Sequence, residues 1–394
     1  MSRLISVGID IGTSHVKVVA AEAPQKNDER LLPRIVGYGI ADSKGLRHGY
    51  IVNDADTIGS VKHALRQAEK SAGVKIKRVF MSVGGVGLGS VVSHGSTIIS
   101  RADSEITTID IQKAIDASEE AIPQTFSLNR RIIHTIPLHY KIDGRTVLGK
   151  PEGMRGSKLE VRTLFVTSLE QHLNDLISAV EDSGVQVEDV TASPIAASLV
   201  TLTKTQKMAG CVLANIGAET VSIVVFENGV PQSLEVFPIG STDITNDIAL
   251  GLKIPIEEAE QIKIGSITTT SYPRKKLEEI IEARLSDIFE LIDAHLKKIG
   301  RSGLLPAGVI ITGGGAGLAT IEQFAKSSLK LPSRVGTLHT AQYQNQKISL
   351  KDASWSVAYG LCILGLTNES EPLGMRLAKE TGNKIAGWFK QFVP

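Results

Sequence analysis

Aromatic residues are scarce, only 4% of the 394-residue chain, and so few ring faces make a poor platform for stacking nucleic-acid bases. Neither sign of charge is in excess: 43 Lys and Arg against 42 Asp and Glu leave a formal net charge of +1. That balance lacks the basic footprint of a nucleic-acid binder, so no nucleic acid is expected as a partner. Cysteine occurs twice, at Cys211 and Cys362, far apart and each inside an apolar run. The two read as buried thiols of a reducing compartment rather than as a disulfide or a metal site. No apolar run approaches the roughly 20 residues that a membrane-spanning helix needs. No secretory leader is expected, since Met1-Ser2-Arg3 leads straight into the first strand.

What the chain does have is a repeated turn. Ser6 to Ala20 carries an apolar β-branched run ending in Asp10-Ile11-Gly12-Thr13-Ser14, and a second run, Val16 to Val19, follows at once. This is the pattern of two strands joined by a tight polar turn. Gly12 lets the backbone approach a ligand closely. Thr13 and Ser14 offer hydroxyls and N–H groups to an anion. Lys17 adds a cation, and Asp10 a carboxylate suited to a hydrated Mg²⁺. Cys211 to Phe226 repeats the arrangement, with Asn215 where Asp10 stood and Gly217 where Gly12 stood. A strand running into glycines then follows, Gly308 to Gly317. Two phosphate-type hairpins in pseudo-repeat, then a strand and glycine turn, fit an α/β, actin-like (ribonuclease-H-like) fold. Its two related domains hold ATP in the cleft between them.

The remaining pattern divides the chain. Residues 1–83 read as the N-terminal part of the first actin-like domain, with a helix starting at Asn53-Asp54 and running to Gly73. At 84–165 the character changes to strand–helix–strand without a phosphate turn, which reads as an inserted small α+β subdomain. Its glycines lack the Lys-Ser/Thr pair that a P-loop needs. Residues 166–205 complete the first domain and connect it to the second, 206–366, with a small lobe at about 240–300. There, helices are expected over 244–252, from Pro255, and over 275–299. Residues 367–382 have linker composition. In 383–394, Ile385, Trp388, Phe389 and Phe392 fall at i, i+3, i+4 and i+7, flanked by Lys384 and Lys390. That is an amphipathic helix of the kind that lies on an anionic membrane surface. His15, in the first turn, reads as a solvent-exposed loop residue, and His134 and His139 lack a metal-ligand cluster and read as structural. Arg274-Lys275-Lys276 at a helix start reads as a solvated face, with a site for an acidic partner peptide as the alternative.

With these features together, the chain resembles the FtsA family, the actin-like proteins that tie the bacterial division ring to the inner membrane. The resemblance is carried by Gly8-Ile-Asp-Ile-Gly-Thr-Ser14, Arg131-Ile-Ile-His-Thr-Ile-Pro-Leu-His-Tyr140 and Gly240-Ser-Thr-Asp-Ile-Thr-Asn-Asp-Ile248. Glu257-Glu-Ala-Glu-Gln-Ile-Lys263, Ile281-Glu-Ala-Arg284, Thr312-Gly-Gly-Gly315 and the C-terminal helix extend it. The resemblance implies ATP and Mg²⁺ as ligands, with Asp10 holding the metal through water. Gly12, Thr13, Ser14 and Lys17 would contact phosphate, and Gly217, Ala218 and Glu219 would form the second phosphate turn. Glu260, Lys263, Gly314 and Gly315 would meet the adenosine. It also implies filaments of the chain itself at the cytoplasmic face of the membrane at the division site. The FtsZ tail would bind on the small lobe, and other division proteins on the insert.

The second turn departs from the family's common Asp-Ile-Gly-Gly-Gly-Thr: here it is Asn215-Ile-Gly-Ala-Glu-Thr220. Asn215 brings no carboxylate charge, and Glu219 either puts one near the phosphates, where like charge repels, or points outward or helps hold the metal. Ser193 stands before Pro194 where hydrolysing chaperones carry a Glu, and Ser is a weak general base. Slow or absent hydrolysis is therefore expected, with no catalytic residue assigned. Two other readings are a PilM-like cytoplasmic scaffold of type IV pilus assembly, which shares Ile-Gly-Ala-Glu-Thr but lacks the aromatic tail, and a small-molecule kinase, which would need a catalytic Asp near the cleft.

Overall fold

Residues 4–24, 33–266, 272–338 and 352–369 are described by a computed structural model. The first lobe begins with β1 (Ile5–Ile11), β2 (His15–Glu22) and β3 (Arg34–Asp42), successive antiparallel neighbours. β2 shows why its sequence is apolar on both sides. Val18 and Ala20 belong to one core cluster, with Val61 and Ala64. Val19 and Ala21 face the other way, toward Ala358 and Tyr359. A small hairpin follows, β4 (Leu46–Arg47) and β5 (Tyr50–Ile51). Helix α1 (Asp54–Ala72) is capped by the Asn53 side chain and stopped by Gly73 at φ 68. β6 (Arg78–Val83) then pairs in parallel with β1.

The chain next leaves for a separate sheet. It comprises β7 (Leu88–Ile98), α2 (Thr108–Glu120), the single turn α3 (Gln124–Ser127), β8 (Arg130–Ile142), β9 (Arg145–Val147) and β10 (Lys158–Leu169). The strand order is β7-β10-β8-β9, antiparallel throughout. α2 covers one face, burying Ala114 and Ile115 against Leu159 and Val161. Two contacts tie this unit to the body. His134 Nε2 accepts the Ala192 N–H at 3.0 Å, and burial holds that imidazole neutral, down to about 3. Ser90 Oγ both donates to the Leu234 carbonyl and accepts from its N–H, each at 2.8 Å.

α4 (Glu170–Glu181) returns the chain to β11 (Gln186–Ala192), which lies parallel to β6. α5 (Ser193–Thr201), with Pro194 in its first turn, and α6 (Lys204–Ala209) lead to the second lobe. That lobe contains β12 (Cys211–Ile216), β13 (Val221–Glu227), β14 (Val230–Phe237), α7 (Ser241–Leu252), α8 (Ile256–Lys263), α9 (Arg274–Lys298) and β15 (Val309–Thr312). α10 (Ile321–Leu329) and β16 (Ser333–Val335) complete it. The two five-stranded sheets read β3-β2-β1-β6-β11 and β14-β13-β12-β15-β16, the same order with the same senses. In the second sheet, Leu213, Val224 and Phe226 join the core shared with the first lobe. Val212, Ile223 and Val225 face Leu285, Phe289 and Ile292 of α9 instead. The last helix, α11 (Ser356–Glu369), turns back to the first lobe and packs on α5 and β1.

Local chemistry shifts some expected bounds. α7 begins at Ser241, three residues before the expected start, because the Asp243 carboxylate accepts the Gly240 N–H at 2.8 Å and caps that earlier turn. α11 runs to Glu369, into the stretch expected as linker. The expected membrane face, Ile385, Trp388, Phe389 and Phe392, lies outside the described residues. Among the described residues, no helix is long and apolar enough to cross a membrane.

Candidate nucleotide site

The two repeated turns close in the same way. Gly12 N–H donates to the His15 carbonyl at 3.1 Å, and Gly217 N–H donates to the Thr220 carbonyl at 2.8 Å. Beyond each closing bond, the N–H groups of Thr13 and Ser14, and of Ala218 and Glu219, donate to no acceptor among the described residues. Successive free N–H groups at a turn tip form a concavity suited to an anion. The two tips thus offer matched donor sets, one on each lobe.

Asp10 pairs with Lys17 across the first hairpin and accepts a 2.7 Å hydrogen bond from Ser82 Oγ on β6. Burial pushes the Asp10 carboxyl up, while Ser82 and the Lys17 charge pull it back. In the second sheet the same place holds Asn215 beside Thr312. Thr312 Oγ1 turns away to the Ala353 carbonyl at 2.8 Å. So one hydroxyl–carboxylate pair is present at this level, and the matching pair in the other lobe is uncharged. Lys17, expected on phosphate, sends Nζ to the Ser354 carbonyl at 2.9 Å and lies 5.5 Å from the Trp355 ring centre. Burial lowers its pKa, opposed by Asp10 and Asp352. The turn just before α11 is therefore held by both lobes, through Lys17 and through Thr312.

Glu219 resolves the charge conflict posed by the sequence. Its carboxylate accepts the His48 backbone N–H from the first lobe, with Arg47 Nε 3.7 Å away. Behind it, the second turn rests on α7: Ser241 and Thr242 donate their N–H groups to the Gly217 and Ala218 carbonyls at 2.9 and 2.8 Å. A Cβ at Gly240 would fall 2.2 Å from the Ala218 oxygen, so only glycine permits this contact.

Glu260 and Lys263, one turn apart on α8, form a 2.7 Å ion pair, and Lys263 also reaches the Ser241 carbonyl at 3.1 Å. Thr245 Oγ1 donates to Glu260 at 2.6 Å. The two expected adenosine contacts thus brace the N-terminus of α7. Across the sheet edge, Gly315 packs so tightly that a Cβ would fall 2.5 Å from Ile216 Cγ2, whereas a Cβ at Gly314 would meet nothing within 4 Å. Gly314 therefore presents bare backbone to open space. Ser82, His48, Ser354 and Ser241 were not among the residues expected from sequence. Ser82 carries a sequence signal, since it precedes Gly84 as Thr312 precedes Gly314, and Ser241 lies in the motif Gly240 to Ile248.

The chain matches the family model described as cell division protein FtsA over residues 212–360, and that of the SHS2 domain inserted in FTSA over residues 85–167. It is 31% identical to the cell division protein FtsA of Pseudomonas aeruginosa, covering 94% of this chain and 92% of that one. It is 30% identical to that of Borreliella burgdorferi, covering 99% of each. Among solved structures, the PilM-PilN type IV pilus biogenesis complex aligns with a TM-score of 0.68 at 16% identity, over 94% of this chain and 100% of that one. MreB5 of Spiroplasma citri bound to ADP aligns with a TM-score of 0.51 at 12% identity, over 93% and 99%. At such identities these structures speak to fold, which is actin-like, and the sequence relatives decide between cell division and pilus assembly.

Proposed function

The chain belongs to the FtsA family of cell division proteins, and from that premise we propose that it binds MgATP between its lobes, polymerises, and tethers the FtsZ ring to the cytoplasmic membrane face. Nucleotide binding and a place at the division site follow from the family and fold. The observation that supports the finer reading is the pair of turn tips with free N–H groups, one per lobe. Thr13 and Ser14 would hold one end of a polyphosphate, and Ala218 and Glu219 the other, by N–H donation. Asp10 would hold Mg²⁺ through water, a metal that supplies charge neutralisation between the phosphates. Gly314 would give its bare backbone to the adenosine, as would the Glu260–Lys263 pair its side chains.

Little chemistry is asked of the chain. Ser193, at the start of α5, is a weak base, and Asn215 contributes no charge. Bound nucleotide would favour the closed, polymer-competent arrangement by contacting both lobes at once. The small lobe around 240–300 would take the FtsZ C-terminal peptide, and the insert other division proteins. Membrane attachment would rest on Ile385, Trp388, Phe389 and Phe392. Each large apolar side chain contributes roughly 1.5–3 kcal/mol on full burial, and ordering the helix costs about 1–2 kcal/mol per residue. One short helix holds weakly, and many copies in a filament hold well.

The test is sedimentation of the full chain with anionic vesicles, beside W388D/F389D and beside a variant that does not self-associate. The parent should pellet with vesicles and carry the FtsZ C-terminal peptide with it, and both variants should stay in solution. A non-polymerising variant that pellets as well as the parent would overturn the coupling of anchor and filament.

A further inference from the structure

The insert sheet changes character along its length. On the face away from α2, Val92, Leu164 and Ile136 lie in or against the main apolar core. Beyond them on the same face the strands pass out of that core, and the side chains become His94 on β7, Arg162 on β10 and His139 on β8. These three are direct cross-strand neighbours. In the next row, Ser96, Glu160 and Lys141 stand side by side. The six line a recess of about 230 Å³.

Its charge is unbalanced. Glu160 is engaged by Lys158 at 2.7 Å. Arg162 and Lys141 make no ion pair among the described residues. The imidazole of His139 is pulled below its ordinary value by burial, then by Arg162, Lys141 and His94. Four cations or potential cations converge on a sheet surface with one carboxylate among them, already taken. Holding like charges together is unfavourable unless an anion joins them. At the rim, on the same face of β7, Ile98 is 76% exposed.

We propose that this recess is a docking site for an acidic, extended peptide of a partner protein, its carboxylates on Arg162 and Lys141 and an apolar side chain on Ile98. This rests on reading the insert as the recruiting face and names the chemistry of what it recruits. Charge complementarity selects the occupant, and the recess, about three strands wide, accepts a single extended chain better than a flat lipid surface. The groups facing His94 and His139 are Arg162, Glu160 and Lys158 from β10 and Lys141 from β8. Acidification protonates the His139 imidazole, so an anionic peptide binds more tightly as pH falls.

The experiment is fluorescence anisotropy on the full chain, with a short labelled peptide of Glu, Leu and Ser as probe. A matching peptide with Lys for Glu, inorganic phosphate and anionic vesicles are the other arms. The acidic probe should bind, and the Lys peptide should not. R162Q/K141Q should weaken the acidic probe by about tenfold and I98A by a few fold, with binding tighter at pH 5 than at pH 8. Both variants change half-exposed or exposed side chains, and unchanged thermal melting shows that they fold. Equal affinity of R162Q/K141Q and parent for the probe overturns the proposal. So does phosphate displacing the probe while I98A has no effect, which marks a small-anion site. Loss of vesicle binding instead of peptide binding would assign the patch to lipid, and loss of self-association instead would assign it to a second copy; either overturns the peptide. The tether reading fails separately, if the parent neither pellets with vesicles nor self-associates.

Discussion

The Glu219 carboxylate, at the tip of the second lobe's repeated turn, accepts the backbone N–H of His48 on the first lobe. His48 sits at φ 49 and its carbonyl accepts the Val86 N–H at 3.3 Å, so the receiving loop is itself fastened to the strand exit after β6. The two lobes therefore meet at the candidate nucleotide site through the Glu219 carboxylate on the His48 N–H, with the His48 ring 3.3 Å from the Glu219 carbonyl. Arg47 adds little, because its side chain is 71% exposed and screened by solvent.

Two substitutions separate the charge of Glu219 from its bond. Glu219→Gln keeps an acceptor for His48 and removes negative charge near the phosphates. Nucleoside triphosphate affinity should rise by a few fold in calorimetric titration. Glu219→Ala loses the bond as well. Its radius of gyration without nucleotide, read by small-angle scattering, should exceed that of the parent. Identical scattering curves would show that this bond does not hold the lobes.

Asp10 is expected to make nucleotide binding magnesium-dependent. Asp10→Asn retains an oxygen for Ser82 but leaves Lys17 with Asp352 alone as a negative neighbour. Affinity for ATP should become the same with Mg²⁺ as with EDTA. The melting temperature should fall by a few degrees, since about 1 kcal/mol corresponds to roughly 2–4 °C in domains of this size.

Gly314 and Gly315 should respond in opposite ways. Gly315→Ala drives a methyl into Ile216, and overpacking of this kind costs about 1–3 kcal/mol. Its melting temperature should drop. Gly314→Ala meets no protein atom, so it should melt as the parent does yet bind nucleotide more weakly. Parental nucleotide affinity in Gly314→Ala would remove that backbone from the site.

Burial pushes the Glu260 carboxyl up, but the hydrogen bonds from Lys263 and Thr245 and the Lys263 charge outweigh it and leave the group below its ordinary 4.5. A carboxyl lowered on folding stabilises above its unfolded value, and that stability is lost as pH falls through the folded value. Lys263→Met removes the cause. Its melting temperature should lie below the parent's at pH 7, and the gap should narrow as the pH drops below about 4.5. A constant gap across that range would mean that Lys263 acts through packing alone.

Both hairpins were legible because everything that makes them is local: β-branched runs and a polar glycine turn within about fifteen residues. The matching strand orders of the two sheets are legible for the same reason, as a repeat. The helix Ile321–Leu329 carries its period in Ile321, Phe324, Ala325 and Leu329, but the preceding glycines mask its start. What the sequence does not display is partner choice. Lys17 and Ser354, or Glu219 and His48, are far apart in the chain, and nothing local selects the Ser354 carbonyl over a phosphate oxygen. Glu219 looked like an obstacle to an anion until its carboxylate was found spent on the opposite lobe.

α11 completes the first lobe although it comes after the second. A Cβ at Gly8 in β1 would fall 2.1 Å from the Ala358 oxygen, and one at Gly360 would fall 1.9 Å from the Ala196 oxygen, so helix and lobe touch backbone to backbone. During synthesis, that face of the opening strand waits uncovered while more than three hundred residues emerge. A truncated product ending before Ser356 would leave it bare. Ribosomes stalled early should accordingly yield chains that chaperones retain, and an assembly-competent subunit arises only once translation has nearly run its course.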